Sequence, residues 1–322
     1  MWRYLKRVLI GKPLKTLDEG QAHFTNFKAF PLLSSDALSS VAYGTEQITT
    51  VLVTLSAAAI WYSLPIAALV LILLVAITLS YRQIINAYPS GGGAYVVATE
   101  NWGRTGGLVA GGSLLVDYML TVAVSTTSGT EAIVSAVPQL YKYSVPISVI
   151  IVLAIMILNL RGLSDSANFL TVPVYFFIIM ITAMIIWCFF NIATGHLTYH
   201  ATASFGTPVA GMSAVLFIRA FSAGSSSLTG VEAISNAVPN FNEPKKKNAA
   251  NTLAIMSLIL AAFFGGITFF SYYFGIVPNS HATVLSQIGS VIFNGHGIGF
   301  YLLHLSTVMI LAGAANTGFS SC

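Results

Sequence analysis

Long apolar runs separated by short polar segments fill most of the 322-residue chain. A membrane span needs roughly 20 predominantly apolar residues. Four uncharged runs approach or exceed this length, and three further candidate spans contain polar interruptions. In chain order, these segments cover residues 29–61, 63–80, 108–137, 145–160, 169–192, 213–238 and 252–276. An eighth span begins near Ile298 and continues to Cys322, so the pattern predicts an all-α integral membrane protein that stops within its eighth span.

The composition supports the membrane interpretation. Hydrophobic residues make up 56% of the chain and charged residues only 7%, whereas about a quarter of the residues in a typical globular protein are charged. Residues 1–28 contain six Lys or Arg against two acidic residues, and they lack the apolar core and cleavage site of a signal peptide. We therefore expect residues 1–28 to be retained as a cytoplasmic segment.

The later loops agree with this orientation. If the amino terminus is inside, the outer loops contain only one basic residue, Lys142. The basic residues of the inner loops are Arg82, Arg104, Arg161 and the three lysines at 245–247. Basic residues favour the cytoplasmic side of a membrane. The charge distribution therefore predicts a multi-pass protein with a cytoplasmic amino terminus.

Two of the interrupted spans share a polar pattern. Ser39-Ser40-x-x-x-Gly44-x-Glu46-x-Ile48 is matched by Ser225-Ser226-x-x-x-Gly230-x-Glu232-x-Ile234. The copies lie five spans apart, an odd number, so they cross the membrane in opposite senses, as an inverted repeat requires. Serine and glycine allow the backbone to leave the helix and to offer carbonyl oxygens to a cation. The pattern predicts a secondary transporter whose substrate site lies between the two breaks.

The third predicted span carries a polar stripe. Ser113, Asp117, Thr121 and Ser125 recur every four residues, and Ser128 follows three residues later. This spacing places the side chains on one helical face. Hydroxyl stripes also occur where membrane helices pack closely, so the hydroxyls alone leave both interpretations open. Because the stripe includes an acid and no basic residue, it favours the wall of a cation cavity.

The predicted spans contain far more negative than positive groups. Arg219 is their only basic residue. Their acidic residues are Asp36, Glu46, Asp117, Glu131 and Glu232. An unpaired acid is costly in a membrane, so some of these groups must be protonated or neutralised by bound cations. Asp36 would also repel the carboxylate of an amino acid at the first break. We therefore expect a transporter of cations and protons.

The sequence gives no support for a metal site, a phosphate-binding loop or an enzyme active site. Cys188 and Cys322 offer no metal-ligand spacing, and His196 and His200 lack a nearby third ligand. The glycines at 91–93 lack the lysine of a phosphate-binding loop. We expect no transition metal, cofactor or nucleic acid, and no enzyme activity, because no nucleophile, acid and base are arranged together.

Four motifs resemble a known family. They are Ser34-Ser35-Asp36-Ala37-Leu38-Ser39-Ser40-Val41-Ala42-Tyr43-Gly44-Thr45-Glu46, the loop Tyr88-Pro89-Ser90-Gly91-Gly92-Gly93-Ala94-Tyr95, the run Gly112-Ser113-Leu114-Leu115-Val116-Asp117-Tyr118 and the run Gly230-Val231-Glu232-Ala233-Ile234-Ser235-Asn236-Ala237. The chain resembles the KimA-type potassium importers, in the KUP potassium-uptake group of the amino acid, polyamine and organocation superfamily. The resemblance implies a LeuT-like inverted-repeat fold, potassium and proton symport across the bacterial plasma membrane, homodimers and inhibition by cyclic di-AMP.

The resemblance also implies a division of the chain. Residues 29–194 form the first five-helix repeat, residues 195–212 an extracellular loop, and residues 213–322 the first three helices of the second repeat. We expect a part of a longer protein, and we do not expect it to transport alone. The potassium-binding residues implied are Asp36, Tyr43, Asp117, Tyr118, Thr121, Ser125, Thr229 and Glu232.

Proton coupling requires a separate acid. A bound cation disfavours protonation of the carboxylate that it touches, so one shared group would favour exchange over symport. Glu232 is the first candidate for the proton and Glu46 the second. The ligand types suit sodium as well as potassium, so the choice of potassium comes from the resemblance. The alternative is a proton-coupled amino acid or polyamine transporter of the same superfamily.

Overall fold

The computed structural model describes residues 25–160, 166–279, 281–293, 295 and 297–321. The predicted cytoplasmic segment up to residue 24, Arg161 and Cys322 lie outside these residues. The helices of the described part are α1 (Asn26–Ser39), α2 (Val41–Val53), α3 (Ser63–Ala87), α4 (Ala94–Ala136), α5 (Ser144–Leu160), α6 (Ser166–Ala193), α7 (Ala214–Ser225), α8 (Ala233–Asn236), α9 (Lys245–Tyr273), α10 (Val284–Phe293) and α11 (Ile298–Ser321).

Seven helical segments of the described residues are long and apolar enough to cross a membrane. They correspond to the second through eighth predicted spans. The predicted first span is instead divided into α1 and α2, of 14 and 13 residues, which together exceed the length that a crossing needs. The sequence did not predict α10, a 10-residue helix between the seventh and eighth spans.

The first span is interrupted less than predicted. Ser40, between α1 and α2, keeps right-handed helical angles, and Gly44 lies inside α2. The Ser39 hydroxyl donates to the Asp36 carbonyl (2.7 Å) and the Ser40 hydroxyl to the Ala37 carbonyl (2.6 Å). These carbonyl oxygens are therefore engaged by neighbouring hydroxyls. The prediction that the backbone leaves the helix in the first span and offers free carbonyls to a cation is therefore wrong at these positions.

The sixth span has a much larger break. α7 ends at Ser225, a 3-10 turn covers Ser226–Leu228, and Thr229 adopts an extended conformation (φ −63°, ψ 154°). Gly230 follows with φ 82°, in the left-handed region that favours glycine. The helix resumes only as the four-residue α8. The predicted break is therefore present in the second copy of the pattern.

The first and sixth spans cross at close range. A Cβ atom added to Gly44 would lie 2.7 Å from Ser227 Cβ, and one added to Gly230 would lie 2.7 Å from Asp36 Oδ2. The Ser40 hydroxyl oxygen also lies 2.5 Å from the Ser227 carbonyl, so its single proton is shared between the Ala37 and Ser227 carbonyls. Because neither glycine has a side chain, the Asp36 region can pack directly against the break of the sixth span.

Other spans surround this crossing. α9 packs against α3 and α1, and α11 packs against α4, α6 and α1. Ile48, Phe264 and Ile310 are fully or almost fully buried in the resulting core. The eighth span therefore closes the side of the crossing that faces the third span.

Replacing Gly230 with alanine tests the close crossing. The new Cβ would meet the Asp36 carboxylate and would hold a left-handed conformation that alanine disfavours. We expect the free energy of unfolding to fall by about 1–3 kcal/mol, measured by thermal or denaturant unfolding in detergent. Gly112→Ala is the control, since no atom lies within 4 Å of the added Cβ. Equal stability of the two variants would contradict the crossing geometry.

Candidate cation site

Asp36 is the most deeply placed acid of the site. Its side chain is 7% exposed, and its Oδ1 atom has no hydrogen-bond partner among the described residues. Its carboxylate lies beneath the break at Gly230 and borders a cavity of about 310 Å³. A buried, unpartnered carboxylate oxygen is costly unless a proton or a cation neutralises it. Asp36 therefore supplies a strong oxygen ligand at the crossing of the first and sixth spans.

The third span contributes four of the predicted ligands, all on α4. Thr121 and Ser125 are buried, and the Ser125 hydroxyl also lacks a hydrogen-bond partner among the described residues. Asp117 borders a second cavity of about 510 Å³. Tyr118 borders the same 310 Å³ cavity as Asp36. The stripe is therefore buried at Thr121 and Ser125, half-buried at Asp117 and exposed at Ser113.

The break of the sixth span contributes Thr229 and Glu232. The Thr229 hydroxyl forms a hydrogen bond with the buried Tyr43 side chain of α2, so two predicted ligands contact each other across the crossing. The Glu232 carboxylate interacts with its own backbone N–H and, more weakly, with the Gly230 backbone N–H. The break therefore frees a backbone donor that stabilises an acid close to Asp36.

Glu232 lies where three cavities meet. It borders the 310 Å³ cavity with Asp36, the 510 Å³ cavity with Asp117, and a third cavity of about 770 Å³ with Tyr81 and Asn101. The charges of Glu232 and Asp117 act on Asp36 across these spaces. Negative groups that repel one another in a poorly hydrated region attract a cation or a proton. These acids thus border neighbouring cavities without forming one compact ligand cluster.

Glu46 lies away from this group. It borders a different cavity of about 260 Å³, together with Glu131 and His281. One of its carboxylate oxygens accepts the Val284 backbone N–H at the start of α10 (3.3 Å). In the predicted orientation this cavity is on the outer side. The two proton candidates therefore occupy separate cavities, with Glu232 beside Asp36 and Glu46 near the outer surface.

The remaining charged and metal-binding candidates lie outside the site. Arg219 is exposed, which fits a side chain that extends outward rather than one that pairs with a buried acid. Within the described residues, no three His, Cys, Asp or Glu side chains are close enough to hold a metal ion together. The chemistry of the site therefore comes from separate carboxylates, hydroxyls and backbone groups.

The comparisons with known proteins agree with this arrangement. The family model described as amino acid permease matches residues 24–322. This chain belongs to the amino acid permease family. The family and the helical architecture of the described residues confirm the predicted LeuT-like membrane fold.

Two kinds of relative are similar to this permease. It is 56% identical over 322 residues to the potassium transporter KimA of Bacillus subtilis (strain 168), an alignment that covers 100% of this chain and 53% of that protein. It is 28% identical over 118 residues to the low-affinity putrescine importer PlaP of Escherichia coli, in strain K12 and in O157:H7, covering 37% of this chain and 26% of each relative. The permease chain thus spans about half the length of KimA.

The eighth span of the permease adds residues that sequence analysis missed. Thr317 and Gly318 border the 310 Å³ cavity with Asp36. The Thr317 hydroxyl lies 3.1 Å from the Ser35 hydroxyl. The Asn159 side chain donates to the Asn316 side chain (2.8 Å). The polar pair at 316–317 within an apolar helix was the available signal for this contact.

Replacing Ser125 with alanine tests the third-span ligand of the permease. Without potassium, removal of an unpartnered buried hydroxyl should raise the free energy of unfolding by about 1 kcal/mol. With potassium, the variant should gain less stabilisation than the parent, because one oxygen ligand is lost. Thermal unfolding in potassium chloride and in N-methylglucamine chloride measures both effects. Ser128→Ala, on the same helix, is the control. A parental potassium effect in Ser125→Ala would exclude Ser125 as a ligand.

Proposed function

We propose that this permease imports potassium together with protons. The central support is the unpartnered, buried Asp36 Oδ1 at the crossing of the broken sixth span. This oxygen needs a positive charge to offset its burial. The similarity to the potassium transporter KimA supports potassium as that charge.

The cation would bind in steps along the third span. Asp36, Tyr43 and Thr229 lie at the crossing, and Asp117, Tyr118, Thr121 and Ser125 follow the facing helix. Carboxylate, hydroxyl and carbonyl oxygens are the ligands that replace the hydration shell of a monovalent cation. The two unpartnered groups, Asp36 Oδ1 and Ser125 Oγ, would gain their missing interactions from the bound ion.

The proton would occupy Glu232. This carboxylate borders the cavities of both Asp36 and Asp117, so its charge state acts on both cation ligands. A proton on Glu232 would reduce repulsion while leaving Asp36 free to hold potassium. Glu46 is less suited to this role, because it borders a cavity with Glu131 and borders neither the cavity of Asp36 nor that of Asp117.

Alternating access would come from movement at the sixth-span break. Discontinuous helices at the bilayer midplane allow parts of a transporter to rock around the bound substrate. Ser40 hydrogen-bonds the Ser227 carbonyl at the crossing, so the first and sixth spans would move together. The third, fourth and eighth spans would form the opposing unit.

Asp36→Asn in the complete protein tests the cation site. The variant loses the negative charge that offsets dehydration of the ion. We expect the half-saturating potassium concentration to rise at least about tenfold, the equivalent of 1.4 kcal/mol of binding free energy. Potassium uptake in an import-deficient host or in proteoliposomes gives this value. Glu131→Gln, which removes an exposed acid, is the control. Normal affinity and rate in Asp36→Asn would refute the assignment.

Glu232→Gln tests proton coupling. Glutamine keeps the shape of the side chain but cannot carry the transported proton. We expect the acceleration of potassium uptake by an imposed inward proton gradient to disappear in this variant. Glu46→Gln should retain the acceleration. The reverse result would assign the transported proton to Glu46. Acceleration in both variants would exclude both residues as the proton carrier.

The second candidate function is polyamine or amino acid transport. It is supported by the permease family and by the similarity of 118 residues to a putrescine importer. Fold alone does not determine the substrate. Putrescine-dependent or amino-acid-dependent currents in potassium-free proteoliposomes would favour this alternative. Currents that require potassium would reject it.

Three further predictions follow from the resemblance to the KimA-type importers. These are a bacterial plasma-membrane location, a homodimer and inhibition by cyclic di-AMP. The distribution of basic residues separately predicts a cytoplasmic amino terminus. The seven apolar helices and the family establish a multi-pass membrane protein. The other properties stay predictions.

A further inference from the structure

The loop between the second and third spans contacts the sixth span directly. Its three consecutive glycines, Gly91 to Gly93, have no part in the cation site described above. The Gly92 N–H donates to the Ser235 carbonyl (3.2 Å), and the Ser235 hydroxyl donates to the Gly92 carbonyl (3.2 Å). This reciprocal pair joins the loop to α8. We call residues 91–93 the glycine clamp.

The contact is too close for larger residues in the clamp. Gly91 has φ 97°, and a Cβ added to it would lie 2.8 Å from the Asn236 carbonyl oxygen. A Cβ added to Gly93 would overlap the Asn236 side-chain oxygen. Two glycines therefore allow the clamp backbone to lie directly on α8. The motif has a structural use that is unrelated to phosphate binding.

Ser235 connects the clamp to Glu232. The Ser235 N–H donates to the Glu232 carbonyl (3.0 Å). The Ser235 hydroxyl oxygen also lies 2.8 Å from the Glu232 carbonyl, so its single proton is shared between the Glu232 and Gly92 carbonyls. α8 has only four residues, and a single helical turn is not stable alone. The orientation of Glu232 at the start of α8 therefore depends on contacts from outside the turn. The glycine clamp supplies such contacts to a serine that is 1% exposed.

The other end of the clamp joins the helix that forms the wall beside Glu232. Gly93 is the N-cap of α4, and its carbonyl accepts the Val97 N–H (3.1 Å). Ala94, the next residue, borders two of the three cavities that Glu232 borders. The clamp thus fixes the acid-bearing turn to the start of the adjacent cavity wall.

We propose that the glycine clamp and Ser235 position the Glu232 carboxylate, and that the clamp and α8 move as one unit during transport. The role of Ser235 in transport rests on the proposed proton coupling by Glu232. Ser235 is a positioning residue, since it acts through the Glu232 backbone. The clamp itself can be tested without transport.

Amide hydrogen exchange tests the clamp directly. Ser235→Ala removes one of the two reciprocal hydrogen bonds and leaves a smaller side chain in its place. We expect exchange in residues 91–93 and 232–237 to accelerate roughly fivefold, the effect of losing one hydrogen bond. Gly93→Ala should accelerate exchange in the same segments, and the control Gly112→Ala should not. An unchanged rate of amide exchange in Ser235→Ala would refute the proposed clamp contact.

Uptake measurements test positioning. Ser235→Ala should lose most of the acceleration of potassium uptake by a proton gradient while keeping the parental half-saturating potassium concentration. Ser235→Thr, which restores the hydroxyl, should recover the acceleration. Parental acceleration in Ser235→Ala would show that Ser235 does not position Glu232. Absence of potassium uptake by the complete parent protein would refute the proposed function. Hydrogen exchange would still test the clamp contact in that case.

Cross-linking tests movement as one unit. Ser90→Cys and Pro239→Cys place thiols beside the clamp contact, because Pro239 lies 3.6 Å from a Cβ added to Gly91. The native cysteines of the complete protein, Cys188 and Cys322 among them, are replaced by alanine. A short flexible bis-methanethiosulfonate linker, which forms a disulfide with each thiol by displacing methanesulfinate, should leave uptake unchanged, because the joined parts do not separate. Loss of uptake on linking, with recovery after reductive cleavage of the linker, would show that the clamp opens during transport.

Discussion

The arrangement of the site depends on one constraint, which is the burial of the Asp36 carboxylate without a positively charged partner in a region of low polarity. Burying a carboxylate costs several kcal/mol unless a counter-charge or strong hydrogen bonds offset it. Asp36 Oδ1 has no such bond among the described residues, and the exposed Arg219 does not compensate it. The arrangement is stable with a positive charge present, which is the property expected of a cation carrier.

The backbone at the crossing makes this burial possible. Gly230 allows the chain to pass directly over the Asp36 carboxylate, and Gly44 allows Ser227 to approach the first span. Serine hydroxyls satisfy helix carbonyls on both sides, as at Ser40 and Ser227. Small residues therefore serve two purposes. They permit close contact between the spans, and the serine hydroxyls hydrogen-bond to the helix carbonyls. Among the described residues at the crossing, Asp36 Oδ1 is left without a hydrogen-bond partner.

The sequence predicted the spans well, because their apolar length follows directly from bilayer thickness. It also placed the sixth-span break at Gly230, where serine and glycine coincide with an acid. The same pattern misled at Gly44, since the composition of a segment does not show whether hydroxyls will satisfy its backbone locally. Thr317 was missed for a related reason. Its importance arises from contact with Ser35, and pairing between distant spans cannot be obtained from local periodicity.

The two proton candidates show a second limit of predicting a site from a sequence repeat. Glu46 and Glu232 occupy equivalent places in the two copies, yet Glu46 accepts an N–H of α10 and Glu232 interacts with its own N–H and that of Gly230. A repeat specifies position within its own span, whereas the surrounding elements decide which cavity the side chain meets. α10 has no counterpart in the predicted spans, so this difference could not be anticipated.

The surplus of acids also has an electrical consequence. In the proposed import cycle, ion and proton neutralise these groups on the inward passage, and the emptied carrier reorients with its negative charge exposed. A membrane potential that is negative inside repels that charge toward the outer face, with about 2.3 kcal/mol for each elementary charge moved through 100 mV. Voltage would therefore act mainly on the return of the unloaded carrier, and a polarised cell would reset its transporter faster than a depolarised one.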